Sequence, residues 1–331
     1  MKNRLLLWTV LLVFSLSFSP AVRASALDAG VIGMFPRNIA EFGYANLAEA
    51  RKFSWYPQFK SQSLPPRFSE LEQFLVSSGV TPNSQIEELA WALGSADTGT
   101  VSESKSVPDA DHIVGVALGS FDPESAKDTL KSRKLAGIEF RGFTLFPCRS
   151  ACNDLYIAFI DSSTVAFGPR GLLELLIEVR SGAEDSLLQN DTLFPLINQA
   201  NGRGIFWGVL NSSGTRQAIH QIVPEATDFP QASKLIDGMT ALVIIIDGSS
   251  DLEAHLQAVS GSPEDSATLA QLLQAALLLH QYEANRSDSV LAGMWKSVRI
   301  APSGNVLEVS FSASNDQVIS LIQHNAFAAK R

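Results

Sequence analysis

The chain has 331 residues, 46% hydrophobic and 18% charged, with a formal net charge of −9 and two cysteines. These figures exclude intrinsic disorder, a collagen-like fibre, a disulfide-dense miniprotein and a polytopic membrane protein. They leave room for one large globular domain or two ordinary ones.

The first 26 residues read as a secretory signal. Lys2 and Arg4 precede a mostly apolar run over residues 5–18, Pro20 breaks it, and Ala24-Ser25-Ala26 supplies the small residues of a cleavage site. Cleavage after Ala26 makes Leu27 the first mature residue, and an uncleaved anchor is the alternative. The apolar run is short of the roughly 20 residues that a spanning helix needs. Losing residues 1–26 removes Lys2, Arg4 and Arg23 and no acid, so the net charge moves from −9 to −12. A body that acidic is repelled by phosphate backbones and anionic headgroups. Neither nucleic-acid binding nor stable membrane insertion is expected after cleavage. The expected location is periplasmic or extracellular.

The opening mature segment, residues 27–83, carries a short strand at residues 42–47. Helical patterns follow, with Phe53, Tyr56 and Phe59 and then Leu71, Phe74 and Leu75. Residues 86–93 and 113–121 read as a strand pair across a polar loop. Asp122-Pro123-Glu124 then opens a helix, with an N-cap acceptor, Pro in the first turn and an acid near the positive dipole end. Strands are expected at residues 140–146 and across 155–167. A leucine-rich helix runs towards Gly182, and a capped helix covers residues 190–200. Residues 204–210 then form a strand and the stretch around 216–223 a helix.

The second half repeats the layout. Residues 241–247 and 252–259 are strands, and in the latter Leu252, Ala254, Leu256 and Ala258 alternate with Glu253, His255 and Gln257. Ser262-Pro263-Glu264 opens a helix to about residue 282, with Leu269, Leu272, Leu273 and Ala276 on its expected buried stripe. A hairpin around Pro302-Ser303-Gly304-Asn305 and a helix over residues 316–324 close the chain. The expected fold is α+β: two related ββαββα-like units, each an antiparallel sheet with helices on one face, after a helical opening segment. The units divide into residues 27–225 and 226–331, joined near Pro224–Pro230, and their sheets can join edge to edge.

Several stretches resemble a loosely defined family of bacterial exported α+β proteins. One is Pro36-Arg37-Asn38 leading into Phe42-Gly43-Tyr44-Ala45-Asn46-Leu47. Others are Gly119-Ser120-Phe121-Asp122, Phe140-Arg141-Gly142-Phe143, Phe159-Ile160-Asp161-Ser162 with Val165-Ala166-Phe167-Gly168, and Ser186-Leu187-Leu188-Gln189-Asn190. The resemblance covers residues 36–210. It implies an extracytoplasmic α+β fold and carries over neither an activity nor a site residue.

Cys148 and Cys152 flank a three-residue gap between two strand patterns. In an oxidising compartment the expectation is a disulfide that staples a hairpin loop and adds about 2 kcal/mol. Two free thiols, or redox or metal chemistry, are the alternatives. The chain has no G-x-S-x-G, no H-E-x-x-H and no Gly-Lys pair, so a standard hydrolase elbow, a zincin helix and a P-loop are excluded. Asp109-Ala110-Asp111-His112 could begin a metal site or end a solvated loop. Asp247-Gly248-Ser249-Ser250-Asp251 reads as a hairpin turn. No catalytic residue, metal or cofactor is expected.

Residues 35–68 are basic and aromatic within an acidic chain. Arg37, Tyr44, Arg51, Trp55 and Tyr56 are the candidate binding residues, because aromatic faces stack and Arg pairs with carboxylates. The alternative is that the aromatics are core and the bases the outer side of the same helices. The expected function is a non-catalytic binding or interaction protein of the cell envelope, for an envelope protein, a peptide or a glycan. An exported hydrolase with an unrecognised site is the alternative.

Overall fold

The structure, a computed structural model, describes residues 26–63, 66–94, 113–148, 154–222, 230–248, 251–287 and 289–323. Helix α1 (Ala29–Ile32) starts at Asp28, whose carboxylate accepts from the Gly30 N–H at 2.7 Å. Strand β1 (Ile39–Asn46) follows, then α2 (Leu47–Ala50), α3 (Tyr56–Ser63), α4 (Pro66–Ser77) and α5 (Pro82–Gln85). Strands β2 (Ile86–Gly94) and β3 (Ile113–Gly119) lead to α6 (Pro123–Ser132). The expected cap is present there: the Asp122 carboxylate accepts from Ser125 N–H at 3.1 Å. Next come β4 (Ile138–Phe140), β5 (Phe143–Pro147), β6 (Tyr156–Phe159), β7 (Thr164–Gly168), α7 (Arg170–Arg180) and α8 (Leu193–Ala200). The second half runs β8 (Phe206–Asn211), α9 (Ser212–Ile222), α10 (Pro230–Asp237), β9 (Ala241–Asp247) and β10 (Leu252–Val259). It ends with α11 (Pro263–Ser287), α12 (Ser289–Ser297), β11 (Arg299–Ser303), β12 (Val306–Ala313) and α13 (Asn315–Gln323).

All the described strands enter one sheet, in the order β11-β12-β10-β9-β8-β1-β2-β3-β7-β6-β5-β4, and every recorded pairing is antiparallel. The order is palindromic about the β1–β8 pair. Reading outward gives β1-β2-β3-β7-β6 on one side and β8-β9-β10-β12-β11 on the other, with β5-β4 as an extension. The second arm therefore begins with β8, a strand that the expected division near residue 225 places in the first unit. The expected join near residue 225 lies outside the described residues, and the strands on either side of it, β8 and β9, pair from Phe206↔Ile246 to Asn211↔Ala241.

Period-2 alternation sorts the core into two layers. Ala117, Val165, Phe206, Leu210, Leu242 and Leu256 point to one side, which is covered by α4, α6, α9, α11 and α13. Phe42, Tyr44, Val116, Ala166, Trp207 and Val243 point to the other, covered by α1, α7 and α8. The expectation of helices on one face is thus corrected. Strands such as β7, buried at every residue, are apolar on both sides and need cover on both. The crossing helices α6 and α11 share a face, as a repeat requires, but the closing helices do not: α7 packs on one face and α13 on the other. The strand order matches between the arms and the helix placement does not, so the resemblance of the halves stops at the sheet.

The expected strand over residues 140–146 is instead a hairpin. Arg141 (φ 48°) and Gly142 (φ 84°) form the two-residue turn, and Phe140 pairs with Phe143. Two consecutive left-handed residues suit the twist of a tight hairpin. Helix α12 is a further element that the periodicity did not show.

Candidate functional site

The opening basic and aromatic segment builds core and contacts between elements. Tyr44 is fully buried and stacks on Trp207, with ring centroids 5.4 Å apart. Burial and the nearby Glu88 carboxylate raise the pKa of its hydroxyl. Trp55 is buried, stacks on Phe53 at 5.2 Å and donates its indole N–H to Asn315 Oδ1 at 3.1 Å. Tyr56 is buried as well, and burial raises its pKa. Arg51 donates to the Ile86 carbonyl at 2.7 Å and the Pro82 carbonyl at 3.3 Å, which ties α2 to the start of β2. Arg37 is exposed and lies 3.5 Å from Asp185. Lys52 pairs with Glu49 and Lys60 with Glu72. The five candidate residues do not share a surface: the aromatic faces are covered and the bases are engaged. The aromatics follow the alternative that sequence left open and lie inward, while Arg37 and Lys52 are exposed and Arg51 is tied to the main chain.

Other sequence candidates fall partly or wholly outside the described residues. These are the 109–112 cluster and Cys152. Cys148 is described: its N–H donates to the Leu155 carbonyl at 2.8 Å, continuing the β5–β6 pairing of Phe146 with Ile157. His255 stands on β10 with Glu253 3.7 Å away, both on an uncovered polar side of the sheet.

At the sheet centre, burial raises the pKa of Glu41 of β1. Its carboxylate accepts from the Trp91 indole N–H at 3.1 Å, and that bond acts in the opposite, smaller sense. Trp91 can reach it because Gly43 has no side chain: a Cβ there would sit 2.3 Å from the indole ring. A carboxyl whose folded pKa lies above its unfolded value stabilises the fold below the unfolded pKa. That contribution is lost as pH rises through the folded pKa. Glu41→Gln should therefore match the parent protein near pH 4 and become the more stable of the two as pH rises towards 8, read as the difference in urea midpoints. A constant difference across that range would show that Glu41 is not desolvated.

The surface that stands apart is the outer side of α11. Ser266, Leu269 and Ala270 are buried against the sheet, and Gln274 and Gln281 donate to the carbonyls of Ile300 (3.0 Å) and Trp295 (2.9 Å). On the opposite side Leu272 is 42% exposed, Leu278 66%, Leu279 57% and Tyr282 62%. Of the expected buried stripe only Leu269 is deeply buried; Leu272, Leu273 and Ala276 are exposed. The sheet takes one narrow side of a helix that carries leucines all round, and leaves the rest in water. Residues 266–282 contain no charged residue, a signal present in the sequence. A helix that is apolar on its free side marks an interaction surface. No described helix is long and apolar enough to cross a membrane.

No protein-family profile and no curated relative matches the chain. Among solved structures, two crystal forms of the Treponema protein TP0453 share the fold. Crystal form I has a TM-score of 0.50 at 9% identity, over 92% of this chain and 98% of that one. Crystal form III has a TM-score of 0.50 at 10% identity, over 90% and 99%. At such identities the likeness concerns the fold alone.

Proposed function

We propose that the chain is an exported envelope protein that acts by binding and performs no chemistry of its own, and that it binds through the outer side of α11. The observation that carries this reading is the charge-free, leucine-bearing surface of that helix. Water-exposed Leu272, Leu278, Leu279 and Tyr282 leave apolar area that a partner would remove from water, worth about 25 cal/mol per Å². Membership of a family of exported α+β proteins accords with the shared fold of TP0453 and with the motifs between residues 36 and 210. Export accords with the tripartite start, and an oxidising compartment would join Cys148 to Cys152. Mass spectrometry of the exported protein tests both: a chain beginning at Leu27 and lighter by two hydrogens is expected, and an intact Met1 end or two free thiols would reject the respective part.

The binding surface is tested in intact cells. A photoreactive amino acid at position 279 should give one discrete adduct on illumination. The same group at Ser312, on the uncovered polar side of β12, should give none. Equal adducts at both positions, or none at 279, would defeat the assignment of the surface.

A further inference from the structure

The buried body of the chain starts at Leu27. Ala26 before it is exposed, whereas Leu27 is 3% exposed and belongs to the core cluster of Ile197 and Ala200 in α8. Both main-chain groups of Leu27 are held by one side chain, 174 residues further along. Its N–H donates to Asn201 Oδ1 at 2.8 Å, and its carbonyl accepts from Asn201 Nδ2 at 2.9 Å. A primary amide that uses its acceptor and one donor on a single residue fixes both the place and the direction of that residue.

Local structure in turn holds Asn201. Its N–H donates to the Ile197 carbonyl at 2.8 Å and so ends α8. A type II turn follows, with φ −60° and ψ 126° at Asn201 and φ 78° at Gly202, closed by Arg203 N–H on the Ala200 carbonyl at 3.1 Å. The second turn position requires positive φ, which glycine adopts without strain. The amide is thus presented at the C-terminal end of α8, where the helix dipole favours positive charge. No residue of α8 is charged. The charged residues nearest in the chain to either partner are Asp28 and Arg203, and both are exposed.

Two observations converge on one peptide bond. Ala24-Ser25-Ala26 marks the bond after Ala26 for a signal peptidase. The tertiary structure buries the next residue and gives its nitrogen an acceptor. Hydrolysis of that bond places the oxygen of water on the Ala26 carboxylate and leaves the Leu27 nitrogen as an ammonium, charged at neutral pH. The donor to Asn201 Oδ1 then changes from a neutral amide to a cation, and a charge-assisted bond is about twice as strong as a neutral one. We propose that Asn201, at the end of α8, is the receptor for the processed N-terminus: a site for a primary α-ammonium, filled by Leu27 once the leader is removed. Capture of a chain end by fixed hydrogen-bonding groups is an established mode of recognition. The inference rests on the export reading given above and adds that processing tightens the fold.

Urea denaturation at pH 7 of chains with two defined starts, Leu27 and Ala24, tests the inference. Both keep the described body whole from Leu27 onward. The chain starting at Leu27 should have an unfolding constant about three- to fivefold smaller than the chain starting at Ala24. Asn201→Asp keeps the acceptor, loses the donor to the Leu27 carbonyl and adds a negative charge. It should widen the gap between the two starts to about tenfold or more. Asn201→Ala should close the gap to within about twofold, because the acceptor is gone. Circular dichroism checks that each variant is folded, and the extended backbone of Asn201 suits both replacements. A steric penalty from three added residues would be equal in all three proteins, so only a charge on the Leu27 nitrogen produces this order. Equal stability of the two starts in the parent protein overturns the inference. A gap that neither Asn201→Asp nor Asn201→Ala alters does so too. The two readings fail separately: start-independent stability removes the site and leaves export standing, whereas an intact Met1 end in cells removes export and with it the occupant.

Discussion

Trp55→Ala should lower the stability of the protein by about 3–5 kcal/mol, a large share of the 5–15 kcal/mol that holds an ordinary domain together. Trp55 is fully buried, in the same core cluster as Leu252, Ala254 and Val318 of the second half. Its indole N–H reaches Asn315, the first residue of α13, from a position 260 residues earlier. The neighbouring Phe53 lies against the turn after β9, where a Cβ on Gly248 would come within 2.7 Å of its ring. The opening segment therefore clasps both arms of the sheet. Asn315 is exposed, so water can replace the lost indole and the deficit is mostly one of packing. Trp55→Phe should cost less, about 1–2 kcal/mol, by keeping most of the ring volume. Urea denaturation gives the stabilities, and hydrogen exchange in α13 should quicken in the alanine variant more than in α7. An unchanged midpoint for Trp55→Ala would mean that the opening segment does not hold the arms.

Gly119→Ala should be nearly as damaging, at about 3 kcal/mol or more, although it adds one methyl group. Gly119 ends β3 beside a register shift, pairing with Ile86 where the next pair is Leu118 with Glu88. A Cβ there would lie 1.7 Å from the Gln85 carbonyl oxygen, an atom of the main chain that no side-chain rotation can move. Relief requires β2 and β3 to separate, which strains the bond from Ser120 N–H to that carbonyl (2.9 Å) and the bond from Gly119 N–H to Ser163 (2.9 Å). The requirement comes from close approach and not from backbone angles, since Gly119 is not among the residues with positive φ. Gly171→Ala is the control. Gly171 is exposed in α7 with nothing within 4 Å of a built Cβ, so alanine should stabilise the protein by about 0.5–1 kcal/mol. Equal urea midpoints for the two alanine variants would refute the close-approach argument.

Local chemistry made most elements legible. Asp122-Pro123-Glu124 reads as a helix start because its cap, its proline and its acid act within one turn, and α6 begins there. The alternation of Leu252, Ala254, Leu256 and Ala258 with Glu253, His255 and Gln257 reads as a half-buried strand, and β10 pairs on both sides with its polar row uncovered. The hairpin at Arg141-Gly142 was less visible, because Arg rarely signals a left-handed turn. The α11 surface was not legible in the sequence. Leucines stand on both sides of that helix, so periodicity alone cannot choose which side meets the sheet.

Sequence by itself determined the α+β class, the strand pairs close in the chain and the mixture of basic and aromatic residues in the opening segment. Those features depend on residues within a turn or a hairpin of one another, where propensity, capping and alternation act directly. Tertiary structure alone decided that β1 lies between β2 and β8, that both arms share one sheet, and that Tyr44, Trp55 and Tyr56 are core. Pairing β1 with β8 joins residues more than 160 apart in the chain, and no local preference records such a choice. Burial of an aromatic ring depends on what is packed over it, and for Trp55 that includes the last described helix of the chain.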